Sequence, residues 1–205
     1  MNRYRRYFLA ALSGLALAAC GGGGNGPSGN ADDLVDMALG PDDAPAVLVE
    51  YASATCGVCA TYYDTMHETI EQLTEEGKLR FIFREFPRNQ IDIAAFSIAR
   101  CAGEDKYFDV IGDLFNNQRG IVAAAGAGTV TNAFEAIAAR HGMDSEQFEA
   151  CLADEDIRKI IADISDFGTA QGVTGTPTLF FNSFELEPFE GRDPENLIAL
   201  VEAEQ

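Results

Sequence analysis

Two short strand-like segments flanking a helix-length segment constrain the fold of this 205-residue chain more than any other feature. Val47-Leu48-Val49 is apolar and β-branched, as is typical of a central parallel strand buried on both faces. Leu79-Arg80-Phe81-Ile82-Phe83 alternates well enough to predict a second strand. The residues from Cys56 to Glu76 have the composition and length of a helix, which Gly77 ends. The pattern therefore predicts a βαβ unit, whose crossover is right-handed almost without exception.

A long block with helical periodicity follows, from Ile91 to about Phe167. Its apolar residues recur at helical spacing and are expected to form hydrophobic core rather than a cofactor site. Asn132 with Glu135 three residues later resembles a helix-capping pair, and Asp144 is a candidate cap for the next helix. The Gly- and Ala-rich stretch 120–128 predicts a loop between two helices.

Strand character returns in Thr178-Leu179-Phe180-Phe181, and a final helix is expected from about Pro194 to Ala203. The order is therefore β-α-β, then a helical block, then β and α again. This order indicates an α/β domain that carries a helical insertion. With 47% hydrophobic residues and 14 Phe, the chain can bury a core of useful size.

The amino-terminal segment reads as a secretion signal. A basic start precedes the apolar run Phe8–Ala19, whose twelve residues rise about 18 Å as a helix, too little for a hydrocarbon core of ~30 Å. Residues 1–19 are therefore predicted to be a signal peptide. Leu17-Ala18-Ala19-Cys20 resembles the lipobox of bacterial lipoproteins, which implies cleavage before Cys20 and its lipidation. The alternative is an ordinary signal peptide with Cys20 as a chance thiol, and Arg5-Arg6 leaves Sec and twin-arginine export both open.

The segment after Cys20 is almost entirely Gly, Asn, Ser and Pro, so residues 20–31 are expected to be a lipidated cysteine with a flexible tether. Removal of Arg3, Arg5 and Arg6 leaves 11 basic and 33 acidic residues, a net charge of −22. Such a surface repels nucleic acid and anionic headgroups, which makes both poor partners. The expected location is the cell envelope or periplasm, tethered to a membrane through lipid.

The five cysteines are odd in number, which is unusual for an exported protein. If Cys20 carries lipid and Cys56 pairs with Cys59, then Cys101 and Cys151 remain for each other. An oxidising compartment favours a disulfide between them, and the alternative is two buried free thiols.

Cys56-Gly57-Val58-Cys59 stands at the predicted junction of strand and helix. This spacing lets two sulfurs on one helical turn close a disulfide. It also places Cys56 in the first turn, where free backbone N–H groups and the helix dipole stabilise a thiolate. A lowered thiol pKa makes Cys56 the expected nucleophile, while Cys59 resolves the mixed disulfide.

A pair of cysteines with this spacing also occurs in metal sites. It could be half of a zinc site, but a second such pair or a His pair at ligand spacing is missing from the sequence. Met66-His67 is the only nearby feature that a copper carrier would use. His67 and His141 are each better explained as ordinary surface or core residues, so no metal and no cofactor are expected.

A second segment identifies a family. Residues 173–182, which include Gly175-Thr176-Pro177-Thr178, resemble the cis-proline segment of the thioredoxin superfamily, and specifically of its DsbA-like branch. Arg84-Glu85-Phe86-Pro87 resembles the strand end that leads into the helical insertion of that branch. Cys101 and Cys151 resemble the positions of the additional structural disulfide of some members. The resemblance covers about residues 32–205 and implies a thioredoxin fold (32–90 and 166–205) with an inserted helical domain (91–165).

The resemblance implies a role for each matching residue. Cys56 would be the nucleophile, Cys59 the resolving thiol and Pro177 the cis-proline, next to which the backbone of Thr176 binds an extended client. Glu50 matches the family's buried acid, which relays protons to and from Cys59 with a raised pKa. The residue-level alternatives are a loop proline at Pro177 and a solvated strand-end carboxylate at Glu50.

The expected protein is a monomeric exported thiol–disulfide oxidoreductase that introduces disulfides into polypeptides and is recycled by a quinone-linked membrane partner. Gly57-Val58 departs from the Pro-His of many strong oxidases, so a less oxidising couple is expected. The alternatives are a reductase or isomerase kept reduced by a membrane donor, and a metal-binding or scaffold lipoprotein without enzymatic activity.

Overall fold

The computed structural model describes residues 34–187 and 191–205. The signal peptide, Cys20 and the tether lie outside these residues and stay predictions. The strands are β1 (Met37–Leu39), β2 (Ala46–Ala52), β3 (Leu79–Glu85), β4 (Thr178–Phe181) and β5 (Phe184–Glu185). The helices are α1 (Gly57–Glu75), α2 (Gln90–Cys101), α3 (Glu104–Asn116), α4 (Gln118–Gly126), α5 (Val130–Arg140), α6 (Ser145–Ala153), α7 (Glu155–Ala170) and α8 (Pro194–Glu202).

The five strands form one mixed sheet in the order β1-β3-β2-β4-β5. β2 and β3 are parallel and are joined by α1, which confirms the predicted βαβ unit. β4 pairs antiparallel with the other side of β2, so that Glu50 faces Leu179 across the sheet. The predicted β4 and the predicted central place of β2 are both correct. Val47 and Val49, however, are only half-buried, although the sequence predicted burial on both faces of the strand. They line a cavity together with Tyr51 and with Phe167 of α7.

The helices α2 to α7 are inserted between β3 and β4, as the periodicity predicted. α1 packs against α3 and α8, and the aromatic rings of Phe83, Phe96, Tyr107 and Phe115 join the sheet to the inserted helices. α7 returns to the sheet, where a Cβ at Gly168 would lie 2.6 Å from the Tyr51 ring. Only glycine permits this close approach. The exact division of the chain at residues 90 and 165 stays a prediction.

Two local predictions in the insertion are wrong. Residues 120–128 were expected to be a loop, but most of them belong to α4, because the alanines favour a helix and Ile121 is buried under it. Asn132 and Glu135 do not cap a helix, because α5 begins at Val130, with Thr129 as its N-cap residue after the positive φ of Gly128. Asp144 does cap α6, through a full capping box with Gln147.

Two strands were not predicted. β1 and β5 have three and two residues, too few for alternation to be visible in the sequence. β1 is held at the sheet edge by long-range contacts instead, including the ion pair of Arg84 with Asp36, which precedes it.

Candidate active site

Cys56 and Cys59 lie where β2 passes into α1, and both are free thiols in this structure. Cys56 is the N-cap of α1, one residue before the first turn in which the sequence placed it. The backbone N–H of Cys59 donates to the Cys56 sulfur at 3.4 Å. Cys56 is partly exposed, whereas Cys59 is fully buried. One sulfur is therefore accessible to a reaction partner and the other lies behind it.

The two thiols differ in acidity. The pKa of Cys56 is lowered to about 5, first by its hydrogen bond with the Cys59 side chain and also by the backbone N–H groups of Val58 and Cys59. Burial raises the pKa of Cys59 far above its usual range, and the charge of Glu50 adds to this effect. At neutral pH Cys56 is a thiolate and Cys59 keeps its proton.

The segment around Pro177 lies directly against the nucleophile. The Thr176–Pro177 peptide bond is cis, and the Cys56 sulfur lies 3.3 Å from the Thr176 carbonyl oxygen, to which it donates when it is protonated. Pro177 is buried and Thr176 is partly exposed. The fold thus brings residues that are 120 positions apart in the chain into contact at the reactive sulfur.

Glu50 is buried on the α1 side of β2, with 4% of its surface exposed. Among the described residues no group donates a hydrogen bond to its Oε1 atom. The pKa of Glu50 is raised to about 8, mainly by burial and also by the Cys56 charge, while the Arg192 guanidinium opposes both effects. Glu50 is therefore a buried carboxyl that titrates near pH 8 and interacts electrostatically with both cysteines, rather than a solvated carboxylate.

Arg192 is a site residue that the sequence reasoning missed. Its Nη2 atom donates to the Pro177 carbonyl oxygen at 3.0 Å, and its charge acts on both Glu50 and Tyr62. It precedes Asp193, the N-cap of α8, and stands alone between acidic residues in the sequence. Hydrophobic periodicity therefore gives no indication that Arg192 belongs to the site.

The remaining candidate residues form their bonds with other groups, although His67 lines the same cavity as Glu50. Cys101 and Cys151 form a disulfide that joins α2 to α6, with Cα atoms 6.0 Å apart. The His67 ring stacks on Tyr63, and the Nε2 atom of His141 lies 3.1 Å from Asp113. Within residues 34–187 and 191–205 no cluster of three metal-ligating side chains occurs.

The sequence model of the family described as Thioredoxin matches residues 32–203. The chain belongs to the thioredoxin family. A protein of Rickettsia bellii named "Putative protein-disulfide oxidoreductase" is 30% identical over 163 residues, which are 77% of this chain and 61% of that protein. The chain thus spans less than two thirds of this curated relative.

Crystal structures of two bacterial proteins resemble this fold. Alpha-DsbA1 of Wolbachia pipientis superposes with a TM-score of 0.74 at 22% identity, over 82% of this chain and 90% of that one. Oxidised BdbD of Bacillus subtilis gives a TM-score of 0.69 at 19% identity, over 82% and 92%. The thioredoxin fold with a DsbA-like helical insertion is therefore confirmed.

Proposed function

We propose that this thioredoxin-family chain is an exported thiol–disulfide oxidoreductase that introduces disulfides into other polypeptides. The observation that carries the proposal is the position of the Cys56 sulfur. It is accessible, its pKa is about 5, and it lies against Thr176 with the protonated Cys59 behind it. Disulfide exchange by a two-cysteine site requires a nucleophilic thiolate and a second thiol that resolves the mixed disulfide.

The reaction uses the Cys56–Cys59 disulfide as its oxidant. A client thiolate attacks the Cys56 sulfur, the S–S bond breaks, and Cys59 leaves and takes a proton from Glu50. A second client thiolate then attacks the client sulfur of the mixed disulfide, and Cys56 leaves as a thiolate. Two electrons pass from the client to the two cysteines, and the client gains one disulfide.

The acidity of Cys56 supports oxidation as the direction. The thiolate exists only in the reduced enzyme, so the lowered pKa stabilises the reduced form. The pKa of Cys56 is lowered from 9.0 to about 5, so the stabilisation of the reduced form increases as the pH rises above 5. It is lost as the pH falls through that value. The dipeptide Gly57-Val58 adds no side-chain donor, so the backbone and Cys59 supply the effect.

The proposed partners follow from charge and sequence. An extended client segment lies along the Thr176 backbone, and the net charge of −19 for the full chain favours cationic clients. Among the described helices none is long and apolar enough to cross a membrane. The lipobox-like sequence before Cys20 supports attachment in the cell envelope through lipid at Cys20, and we infer that a quinone-linked membrane partner reoxidises the protein.

A redox titration against glutathione tests the proposed direction. We expect an equilibrium constant that favours the reduced protein, and a mainly disulfide-bonded Cys56–Cys59 pair when thiols are trapped in cells. A strongly reducing couple that is found reduced in cells would indicate a reductase or isomerase. Stoichiometric zinc or copper released by oxidation of Cys56 and Cys59 would instead indicate a metal-binding protein.

Glu50→Gln is expected to slow the step in which Cys59 attacks a mixed disulfide by about a hundredfold at pH 7, because the general base is lost. In the unsubstituted protein this rate should rise with pH and level off near pH 8, where the Glu50 carboxyl is ionised. In Glu50→Gln the rate should not level off near pH 8. Single-turnover kinetics across pH 5 to about 9 measure both effects.

The matched control is Glu71→Gln, an exposed carboxyl that lines the same cavity as Glu50.

A raised carboxyl pKa costs stability as the pH rises from 4.5 to about 8, so Glu50→Gln should increase the free energy of unfolding at pH 8. A variant with both an unchanged rate profile and unchanged stability would contradict this assignment of Glu50.

A further inference from the structure

The loop that carries the nucleophile is bonded to the helical insertion at every residue. Ser53, Ala54, Thr55 and Cys56 connect β2 to α1, and each makes a hydrogen bond to a side chain that comes from α2, its cap or α4. The insertion therefore does more than cover the sheet. It contacts the four residues that determine where the Cys56 sulfur lies.

Asp92, in the first turn of α2, supplies the first group of contacts. Its side chain is completely buried, yet both carboxylate oxygens have donors. Oδ2 accepts from the Ser53 hydroxyl and from the Arg88 N–H, each at 2.8 Å, and Oδ1 accepts from the Thr55 N–H at 2.8 Å. Charge-assisted bonds of this kind are about twice as strong as neutral ones.

Gln118, the first residue of α4, supplies the second group. Its side chain is 6% exposed, and its Nε2 atom donates to the Ala54 carbonyl at 3.0 Å and to the Cys56 carbonyl at 2.7 Å. The Cys56 carbonyl also accepts from Ala60 N–H, the first hydrogen bond of α1. Gln118 thus bonds the N-cap residue of the nucleophile helix from outside that helix.

These contacts set a geometry on which reactivity depends. The Cys59 N–H donates to the Cys56 sulfur with an N–S distance of 3.4 Å, and this bond forms only while the N-cap residue holds the sulfur at the amino end of α1. Removing a buried partner weakens the loop contacts, because the group left behind stays unsatisfied. A loop that lost Asp92 or Gln118 would sample positions in which the helix N–H groups no longer face the sulfur.

We propose that Asp92 and Gln118 are positioning residues through which the helical insertion holds the Cys56 sulfur at the amino end of α1 and so sets its reactivity. This proposal rests on the function proposed above for Cys56 and Cys59. It assigns to the insertion a direct part in the redox chemistry of a site that lies on the thioredoxin-like sheet.

Gln118→Met and Asp92→Asn test the proposal in the full chain. Each variant removes hydrogen-bonding capacity with little change in side-chain volume. We expect the pKa of Cys56 to rise by about one unit, which lowers the thiolate fraction near pH 4 about tenfold. The readout is the alkylation rate against pH, after subtraction of the rate for Cys56→Ser. The equilibrium constant with glutathione should shift about tenfold toward the disulfide form.

Two further variants separate positioning from simple destabilisation. Gln147→Ala breaks the capping box of α6 in the same insertion, so it should lower stability and leave Cys56 alkylation unchanged. Asn89→Ser keeps a capping oxygen at the N-cap of α2 but removes the amide that donates to the Thr55 hydroxyl at 2.9 Å, so it should give a small shift even if Asp92→Asn does not fold. Variants that lose stability but keep the alkylation profile and the equilibrium constant would overturn the proposal.

Alkylation of Cys56 does not require a client, so this test is independent of the proposed function. If the unsubstituted protein oxidised no client, the proposed function would be refuted. The effect of Asp92→Asn and Gln118→Met on Cys56 alkylation could still be measured. An active protein whose two variants keep the original Cys56 pKa would refute only the positioning role.

Discussion

Cys56→Ser is expected to reduce disulfide exchange with a dithiol peptide to the uncatalysed rate. A serine hydroxyl neither ionises at neutral pH nor forms a disulfide, and Cys59 cannot replace it because burial keeps Cys59 protonated and out of reach. Cys59→Ala should give a different result. Cys56 can still be captured by a client disulfide, but no second thiol resolves the mixed disulfide, so a covalent complex with the client should accumulate.

The measurement is turnover of a fluorescent dithiol peptide, together with non-reducing gels for the complex that Cys59→Ala forms with the disulfide form of that peptide. A combined Cys101→Ala and Cys151→Ala variant is the matched control, because it removes the other two described cysteines, which are bonded to each other on α2 and α6. It should keep the exchange rate. Exchange that survives in Cys56→Ser, or a mixed disulfide formed through Cys59 alone, would contradict the assigned roles.

The sequence was sufficient for the fold where periodicity and turn residues agree. The β2-α1-β3 unit, β4 and the helical insertion follow from apolar spacing and from Gly77, which has the positive φ of a helix stop. The error at α4 has a clear cause. Three glycines within 120–128 were read as helix breakers, but the buried Ile121 and the bonds of Gln118 to the nucleophile loop hold this segment as a helix.

The candidate site was predictable only in part, for a physical reason. Spacing alone brings Cys56 and Cys59 together, but only the family resemblance placed Thr176 and Pro177 beside them, because 120 residues intervene. Arg192, Asp92 and Gln118 were missed. Each is a single polar residue whose partner lies far away in the chain, and local periodicity carries no information about such contacts. Catalytic roles for Cys56, Cys59, Thr176, Pro177 and Glu50 stay predictions, although the structure gathers all five.

Glu85→Gln is expected to lower the free energy of unfolding by about 3–5 kcal/mol, because it leaves a buried guanidinium without its counter-charge. Both carboxylate oxygens of Glu85 bind Arg100, at 2.6 and 2.8 Å, and Oε1 also accepts from the Tyr107 hydroxyl at 2.7 Å. The Glu85 side chain is fully buried and that of Arg100 is 3% exposed. This cluster joins the end of β3 to α2 and α3, and Arg100 also donates to the Val35 carbonyl before β1.

Denaturant unfolding of the variants gives the measurement, and the chain offers an exposed ion pair as a control. Lys159 and Asp163 are one turn apart on α7 with 70% and 52% of their side chains exposed, so Asp163→Asn should cost less than about 1 kcal/mol. Replacing the whole cluster, by Glu85→Leu with Arg100→Met and Tyr107→Phe, should recover most of the loss, since no buried charge then remains. If Glu85→Gln lowered the free energy of unfolding no more than Asp163→Asn does, the proposed contribution of the buried cluster to stability would be contradicted.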